Sequence, residues 1–174
     1  GVPKRITSHT GNETPKAVLD NGKILFTANI QQDVNYGDFP GNAQLYMIGQ
    51  EGGRPELVTS LPVSEISVNK DGKVLYEDYK GYEDPWRKHH TSSVTHDIWI
   101  YEPSEDKLAD PISINGNGVF TKLTTFKGED RNPVFTADGD SFYYLSEQDG
   151  TFNVYFSGSL RNNDGKIKPE QLTF

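Results

Sequence analysis

The sequence has 174 residues, of which 33% are hydrophobic and 11% aromatic, with 17 Gly and 10 Pro, a composition that favours short strands and turns over helices. The 25 Asp and Glu outnumber the 17 Lys and Arg, and the lack of a Lys/Arg-rich run argues against a nucleic-acid partner. Cysteine is absent, which excludes disulfides, thiolate metal sites and a cysteine nucleophile, and no apolar run approaches the roughly 20 residues of a membrane span.

A strand–turn–strand pattern recurs three times along the chain. Each copy has an apolar strand, a turn at Asn-Gly or Asp-Gly, and a second strand rich in apolar or aromatic residues. The turns fall at Asn21-Gly22 in residues 17–30, at Asp71-Gly72 in residues 66–79, and at Asp138-Gly139 in residues 134–158. Because a type I′ turn needs positive φ at both central residues, these dipeptides are strong hairpin signals. We therefore predict three hairpins with type I′ turns.

Each repeat is predicted to contain four strands. They lie near residues 16–20, 23–30, 43–48 and 54–59 in the first repeat, 63–68, 73–79, 96–102 and 119–125 in the second, and 132–136, 141–147, 152–157 and 166–173 in the third. Residues 2–8 resemble the closing strand of a preceding repeat. Residues 5–22 and 122–139 also match in length and in their Thr, Gly and acidic positions. We expect the chain to be a piece of a longer protein.

The repeated strands predict an all-β fold. Four strands of about 5–7 residues each, repeated along the sequence, are typical of β-propeller blades. We therefore predict about three four-stranded antiparallel blades, roughly residues 9–59, 60–125 and 126–174, in an incomplete ring that is roughly half of a propeller. An immunoglobulin-like sandwich also has short strands and turns, but sandwiches lack this internal self-similarity.

The longest insertions give the repeats a predicted binding face. Residues 31–42 and 80–96 both connect the second strand of a repeat to its third, so both loops should lie on the same face. The third repeat has only a tight turn there, at 147–151, and residues 103–118 lie on the opposite face. Binding residues are concentrated on loops held by a rigid scaffold. We therefore expect ligands at the first face, and we interpret 103–118 as a disordered or decorative loop.

Loop 80–96 carries the densest group of chemically active side chains. Its members are Trp86, Arg87, Lys88, His89, His90, Ser92, Ser93, His96 and Asp97. A catalytic triad is disfavoured because the sequence has no nucleophile elbow, and a zinc site is disfavoured because adjacent histidines diverge. In one interpretation Trp86 packs the loop and the basic residues pair with acidic neighbours. In the other, Arg87, Lys88 and the histidines capture an anion or a peptide carboxylate.

No metal or cofactor is predicted from the sequence. A calcium site needs several oxygen ligands at close spacing, and the acidic residues in loops of the binding face do not have it. They are Asp33, Asp38, Glu83, Asp84, Glu129 and Asp130. Three blades would also leave the ring open. We expect its end faces, with Ile24, Leu45, Phe142 and Val154, to expose apolar surface. Two copies would then pair, or missing blades of the parent protein would complete the ring.

Three segments carry a family resemblance, namely residues 81–102 (GYEDPWRKHHTSSVTHDIWIYE), residues 123–155 and residues 171–174 (QLTF). A Trp, a basic pair, a variable stretch and then Asp-Ile-Trp-Ile-Tyr are typical of the N-terminal propeller of bacterial tricorn-type serine proteases. The sequence resembles that propeller and, more broadly, the TolB-like propellers with WD-type repeats. The resemblance extends over essentially the whole chain.

The resemblance implies a non-catalytic module rather than an enzyme. In tricorn-type proteases the serine nucleophile and its histidine lie in a C-terminal protease part, and the propellers guide or filter peptides. The expected partners are therefore peptides or the protease domain of the parent chain. The alternative is a TolB-like protein-interaction propeller of the cell envelope with no linked protease. A periplasmic or other extracytoplasmic location is favoured over a cytoplasmic one.

Overall fold

The computed structural model of the protein contains three four-stranded antiparallel sheets, which we call blades 1, 2 and 3. It describes residues 2–9, 11–30, 43–59, 61–82, 84, 91–103 and 118–174. Blade 1 consists of β1 (Glu13–Val18), β2 (Ile24–Ala28), β3 (Gln44–Ile48) and β4 (Glu56–Thr59). Blade 2 consists of β5 (Val63–Val68), β6 (Val74–Asp78), β7 (Ile98–Glu102) and β8 (Val119–Lys122). Blade 3 consists of β9 (Asp130–Phe135), β10 (Phe142–Ser146), β11 (Asn153–Phe156) and β12 (Glu170–Gln171).

The predicted fold class is confirmed. Each blade is a meander in which consecutive strands are neighbours, and β5 packs against both β1 and β9, so the first strands of the blades lie side by side. All twelve predicted strands are present. The largest difference is the last strand, which pairs with β11 at two positions only, Tyr155 with Gln171 and Phe156 with Glu170. The described residues contain no α-helix, and no helix among them is long and apolar enough to cross a membrane.

The core lies between the blades because side chains alternate across each strand. In β6, Val74 and Tyr76 face blade 1, whereas Leu75 faces blade 3. The layer between blades 1 and 2 also contains Leu25, Leu45, Met47, Val58 and Tyr101. The layer between blades 2 and 3 contains Leu75, Ile98, Ile100, Leu123, Phe142, Tyr144 and Tyr155. The middle blade is therefore covered on both faces.

The same alternation corrects the prediction of the end faces. Leu45 and Phe142 are both 0% exposed, because each faces the neighbouring blade and not the open end. Ile24 and Val154 are partly buried. The side chains that blade 3 exposes on its outer face are Val134, Tyr143 and Leu172. An apolar end face therefore exists on blade 3, but it consists largely of other residues than those predicted.

The three hairpin turns are not of type I′, so that prediction was wrong. Gly22, Gly72 and Gly139 have φ values of 80°, 75° and 74°, whereas the residues before them do not have positive φ. In the first turn Gly22 N donates to Leu19 O at 2.8 Å and Leu19 N donates to Lys23 O at 2.8 Å. This is a type I turn followed by a left-handed glycine, a longer loop than the two-residue turn.

Several predicted segments cannot be compared with the structure. No strand is assigned to residues 2–9. A closing strand would pair with the third strand of the preceding repeat, so the assignment of residues 2–8 as such a strand stays a prediction. Loop 31–42 and most of loop 103–118 lie outside the described residues.

Candidate functional site

The predicted binding face is where the second and third strands of each blade connect. On this face the end of β6, the start of β7, the start of β9 and the end of β10 come together. Of the predicted ligand-binding residues, Trp86, Arg87, Lys88, His89 and His90 lie outside the described residues, and only His96 is described. The ligand-binding role of the first five therefore stays a prediction.

His96 is buried rather than displayed on the surface. It precedes β7, is 9% exposed, and its ring stacks on Tyr79 with 6.0 Å between ring centroids. Its Nδ1 lies 3.1 Å from Glu129 Oε2 and 3.2 Å from Glu77 Oε1. Burial lowers the pKa of His96, but the two carboxylates outweigh this effect and raise the pKa above its ordinary value. His96 therefore connects two acidic residues that belong to different blades.

Glu129 is the centre of this arrangement. The residue is 1% exposed, and its Oε2 accepts hydrogen bonds from Arg131 Nε at 3.0 Å and from the backbone N of His96 at 3.2 Å. Burial alone would raise the pKa of Glu129, yet the contacts with His96 and Arg131 hold that pKa at about 2. We call Glu77, His96, Glu129 and Arg131 the Glu129 cluster.

Glu77 completes the cluster from the side of blade 2. Ser64 Oγ donates to its Oε1 at 2.8 Å, and the backbone N of Asn132 donates to its Oε2 at 2.9 Å. Asn132 has a φ of 53°, a left-handed conformation that asparagine tolerates better than most residues. Burial raises the pKa of Glu77 even though these donors and His96 oppose the shift. The cluster thus joins blades 2 and 3 through buried ion pairs and hydrogen bonds.

Beside the cluster, a second set of charges surrounds Asp97. Lys80 Nζ lies 2.6 Å and Lys122 Nζ 2.9 Å from Asp97 Oδ2. Asp78 Oδ1 accepts the backbone N–H of Asp97 at 2.7 Å, and Asp78 Oδ2 accepts Trp99 Nε1–H at 3.1 Å. These contacts fix the last residues of loop 80–96 against β6 and β8.

A polar cavity of about 450 Å³ opens next to Asp97, between loop 80–96 and the connection from blade 2 to blade 3. It is lined by Lys80, Lys122, Lys127, Asp97, Phe126 and the hydroxyl residues Thr91, Ser92, Ser93, Thr95 and Thr125. Lys80 and Lys122 are paired with Asp97, and Lys127 and the hydroxyl residues add donors of the kind that suits a carboxylate or a similar anion. We call this the lysine cavity.

Asp130, at the start of β9, is another buried acidic residue of this face. It is 1% exposed, and the hydroxyls of Ser146 and Thr124 lie close enough to its carboxylate to stabilise the charged form. Burial raises the pKa of Asp130 to about 6, and the charges of Asp97 and Glu129 add to the shift. The nearby hydroxyls of Ser146 and Thr124 oppose the shift without cancelling it.

We predict that Asp130→Asn makes the protein more stable at pH 8 and leaves its stability at pH 3.5 almost unchanged. The pKa of Asp130 is higher in the folded than in the unfolded chain, so its contribution to stability is complete below about pH 3.8 and is lost as the pH rises through 6. A shift of about two units corresponds to about 3 kcal/mol.

The measurement is urea unfolding of both proteins at several pH values, with Asp20→Asn on an exposed turn as the control. Glu77 and His96 titrate in both proteins, and their contributions therefore cancel in the difference. A difference that does not change between pH 3.5 and pH 8 would contradict the raised pKa.

The buried charged residues of the predicted binding face were not predicted from the sequence. Glu129 and Asp130 were considered only as calcium ligands, and among the described residues no group of His, Asp or Glu is arranged to hold a metal ion. Glu77 and Arg131 were not singled out. Glu77 follows three apolar residues of β6, and a charge in that position is its signal, whereas Arg131 lies in the polar first half of β9 and has none.

Comparison with known proteins supports the architecture. No family model matches the sequence, and no curated protein matches it either. Among solved structures, TolB from Acinetobacter baumannii is similar with a TM-score of 0.64 and 18% identity over 99% of this chain and 35% of that chain. A protein assigned as TolB from Agrobacterium tumefaciens has a TM-score of 0.59 and 18% identity over 89% and 43%. The tricorn protease has a TM-score of 0.64 and 18% identity over 93% and 13%.

The chain thus spans less than half the length of each of these structures. At 18% identity the similarity establishes the fold, and it agrees with the resemblance to TolB-like and tricorn propellers that the sequence predicted. The feature behind this similarity is the set of three four-stranded sheets whose first strands lie side by side. The chain is therefore a partial β-propeller with the blade architecture found in TolB and in the tricorn protease.

Proposed function

We propose that the chain is a non-catalytic propeller module that docks peptides and guides them to a protease domain of tricorn type. The observation that carries the proposal is the lysine cavity, because it joins loop 80–96 to the scaffold on the face where binding loops are expected. A cavity lined by ammonium and hydroxyl groups suits the C-terminal carboxylate of a peptide, which would compete with Asp97 for Lys80 and Lys122. Arg87 and Lys88, in the same loop, would extend this donor set.

The buried charges of the face are consistent with a docking role. His96 lies between two carboxylates, Glu77 and Glu129. Glu129 in turn accepts from Arg131. These groups hold the blades in place beneath the loops, and a stable base is what a docking surface requires. In this proposal the chain binds peptides without cleaving them.

We expect a peptide with a free carboxylate to bind more tightly than the same peptide with a C-terminal amide. The probe is a fluorescent hexapeptide, Ala-Tyr-Ala-Leu-Ala-Phe, which has no basic residue, and affinity is measured by fluorescence polarisation. Because the proposed contact is a charge-assisted hydrogen bond of about 1.5–3 kcal/mol, the amide form should bind about tenfold or more weakly. The double variant R87A/K88A should show a similar loss for the carboxylate form.

Two controls define this experiment. Lys70→Ala removes an exposed lysine from the turn on the opposite face and should leave the affinity unchanged. Mass spectrometry after incubation should find the peptide intact. Equal binding of the two peptide forms, or cleavage by the purified chain, would contradict the proposal.

The alternative function is a TolB-like protein-interaction propeller without a linked protease. Its support is the same fold similarity, which covers 99% of this chain for TolB. The coding sequence that adjoins this chain would separate the two, because only the tricorn-type role requires a protease segment. Self-association also stays a prediction, and the outer face of blade 3, with Val134, Tyr143 and Leu172 exposed, is where a second copy would pack.

A further inference from the structure

The two walls of the lysine cavity are joined by contacts of the residues just before β7. One wall comes from residues 91–97 and the other from residues 125–127, at the end of blade 2. Thr95 Oγ1 donates to Lys127 O at 3.4 Å, and the backbone N of Asp130 donates to His96 O at 3.1 Å. The position of one wall relative to the other therefore depends on the contacts that Thr95 and His96 make.

His96 adds an ionic contact to this junction. Its Nδ1 lies 3.1 Å from Glu129 Oε2 and 3.2 Å from Glu77 Oε1, and its ring stacks on Tyr79. A protonated imidazole ring has two N–H donors and a positive charge, whereas a neutral ring has one donor and no charge. The attraction of His96 for the two carboxylates is therefore much stronger when the ring is protonated.

Acidic side chains outnumber cations in the described surroundings of His96. Glu77, Glu129 and Glu147 are all buried, and Glu147 Oε1 accepts the backbone N–H of Glu129 at 3.3 Å. Arg131 is a second cation, with its Nε 3.0 Å from Glu129 Oε2. Loss of the proton from His96 would leave three buried acids beside one guanidinium, and an uncompensated buried charge is strongly destabilising.

We propose that His96 is a pH-sensitive switch of the lysine cavity. The protonated ring holds the two walls together and supports the docking of a peptide carboxylate, whereas the neutral ring loosens them. This inference rests on the proposed docking function and adds its regulation.

The direction of the pH dependence follows from the two carboxylates, which raise the pKa of His96 above its ordinary value. The contribution of the protonated ring is complete below the ordinary pKa of about 6.5 and is lost as the pH rises through the raised pKa. Docking should therefore weaken in mildly alkaline solution.

The first measurement needs no ligand. Amide hydrogen exchange is followed by NMR from pH 6 to pH 9 and corrected for the intrinsic effect of pH on exchange. The amides of His96 and Asp130, which donate to Glu129 Oε2 and to His96 O, should lose about tenfold in protection, the change that a coupling of one pKa unit gives. The amide of Met47, in β3 of blade 1, should keep its protection. The fall should have the same midpoint as the titration of the His96 ring shifts.

The second measurement is the affinity of the carboxylate hexapeptide, Ala-Tyr-Ala-Leu-Ala-Phe, by fluorescence polarisation over the same pH range. The ordinary pKa values of lysine, about 10.4, and of a C-terminal carboxyl, about 3.5, lie outside this range. A change in affinity is therefore not expected from the charges of these groups. We expect the affinity to fall about tenfold from pH 6 to pH 9.

Three variants separate His96 from the other histidines. His96→Gln keeps a hydrogen-bond donor but not the charge, so protection and affinity should be low at both ends of the pH range. His9→Gln changes a histidine of the segment before β1 and should behave as wild type. The double variant H89Q/H90Q should retain the pH-dependent fall in protection, because the measurement without ligand does not involve peptide contacts.

The outcomes separate this inference from the proposed function. Constant protection in wild type from pH 6 to pH 9 would overturn the switch, and so would unchanged pH dependence in His96→Gln. If His96→Gln does not fold, the wild-type midpoints decide, and different midpoints for the His96 ring and for protection overturn the proposal. A fall in protection without a fall in affinity would show that His96 does not regulate docking. Failure of the peptide to bind at any pH, with the fall in protection intact, would overturn the docking function but not the role of His96 at the junction.

Discussion

Replacing Glu129 by Gln is expected to reduce the free energy of unfolding by about 3–5 kcal/mol at pH 6, because it removes one partner of a buried ionic network. Glu129 is 1% exposed and accepts from both Arg131 Nε and the backbone N of His96. A glutamine keeps the shape but not the charge, so Arg131 would lose the carboxylate that it contacts directly, and the protonated form of His96 would keep only Glu77 as a counter-ion.

The loss of stability in Glu129→Gln should depend on pH. The pKa of Glu129 is about 2 in the folded protein, against an ordinary value of 4.5, so its contribution is present above pH 4.5 and disappears as the pH falls to 2. The pKa of His96 is raised, so the stability gained from its protonated form is present below its ordinary pKa of 6.5 and is lost at higher pH. The difference between wild type and Glu129→Gln should be largest between pH 4.5 and pH 6.5.

Urea unfolding followed by tryptophan fluorescence measures this difference. Glu56→Gln, an exposed glutamate at the start of β4, is the matched control and should change stability by no more than about 0.5 kcal/mol. If Glu129→Gln unfolds at the same urea concentration as wild type at pH 6, the Glu129 cluster does not stabilise the packing of blades 2 and 3.

The second large effect is expected from Phe142→Ala, with a loss of about 3–5 kcal/mol. Phe142 is 0% exposed and packs in the layer between blades 2 and 3, with its ring centroid 5.5 Å from that of Tyr144. Truncation would leave a cavity that stiff neighbouring strands cannot close. Thermal and urea unfolding give the stability.

Tyr143→Ala is the control for Phe142→Ala because it changes the next residue of the same strand. Tyr143 points to the opposite face, is 42% exposed and contacts Phe156 with 5.5 Å between ring centroids. We expect a loss of about 1 kcal/mol or less. Losses of equal size at the two positions would mean that the outer face of blade 3 is as well covered as the inner layer.

The blade architecture was predictable because alternation and internal repetition are properties of the sequence itself. In β10 buried residues alternate with more exposed ones, and the three Gly-containing turns mark where each hairpin reverses. The turn type was not predictable from the dipeptide alone. Asn21-Gly22 is compatible with a two-residue loop, and only the backbone hydrogen bond from Leu19 to Lys23 shows that the loop is longer.

The candidate site was harder to predict because its members are distant in sequence. Glu77 and Glu129 are brought to the same histidine only when two blades stack. His96 was recognised as part of a polar loop, but its burial depends on β9, which belongs to the next repeat. Asp130 gives no sequence signal either, since an acid at the start of a strand is usually solvated.

Because blade 2 is covered on both faces, the three blades should unfold in a defined order. In a row of stacked units each one is held by its neighbours, so units at the ends detach at lower free energy than a unit in the middle. Amide protons of β6 and β7 should accordingly exchange with deuterium more slowly than those of β3 or β11. The molecule would then lose its structure from the outside inward, with blade 2 as the last part to open.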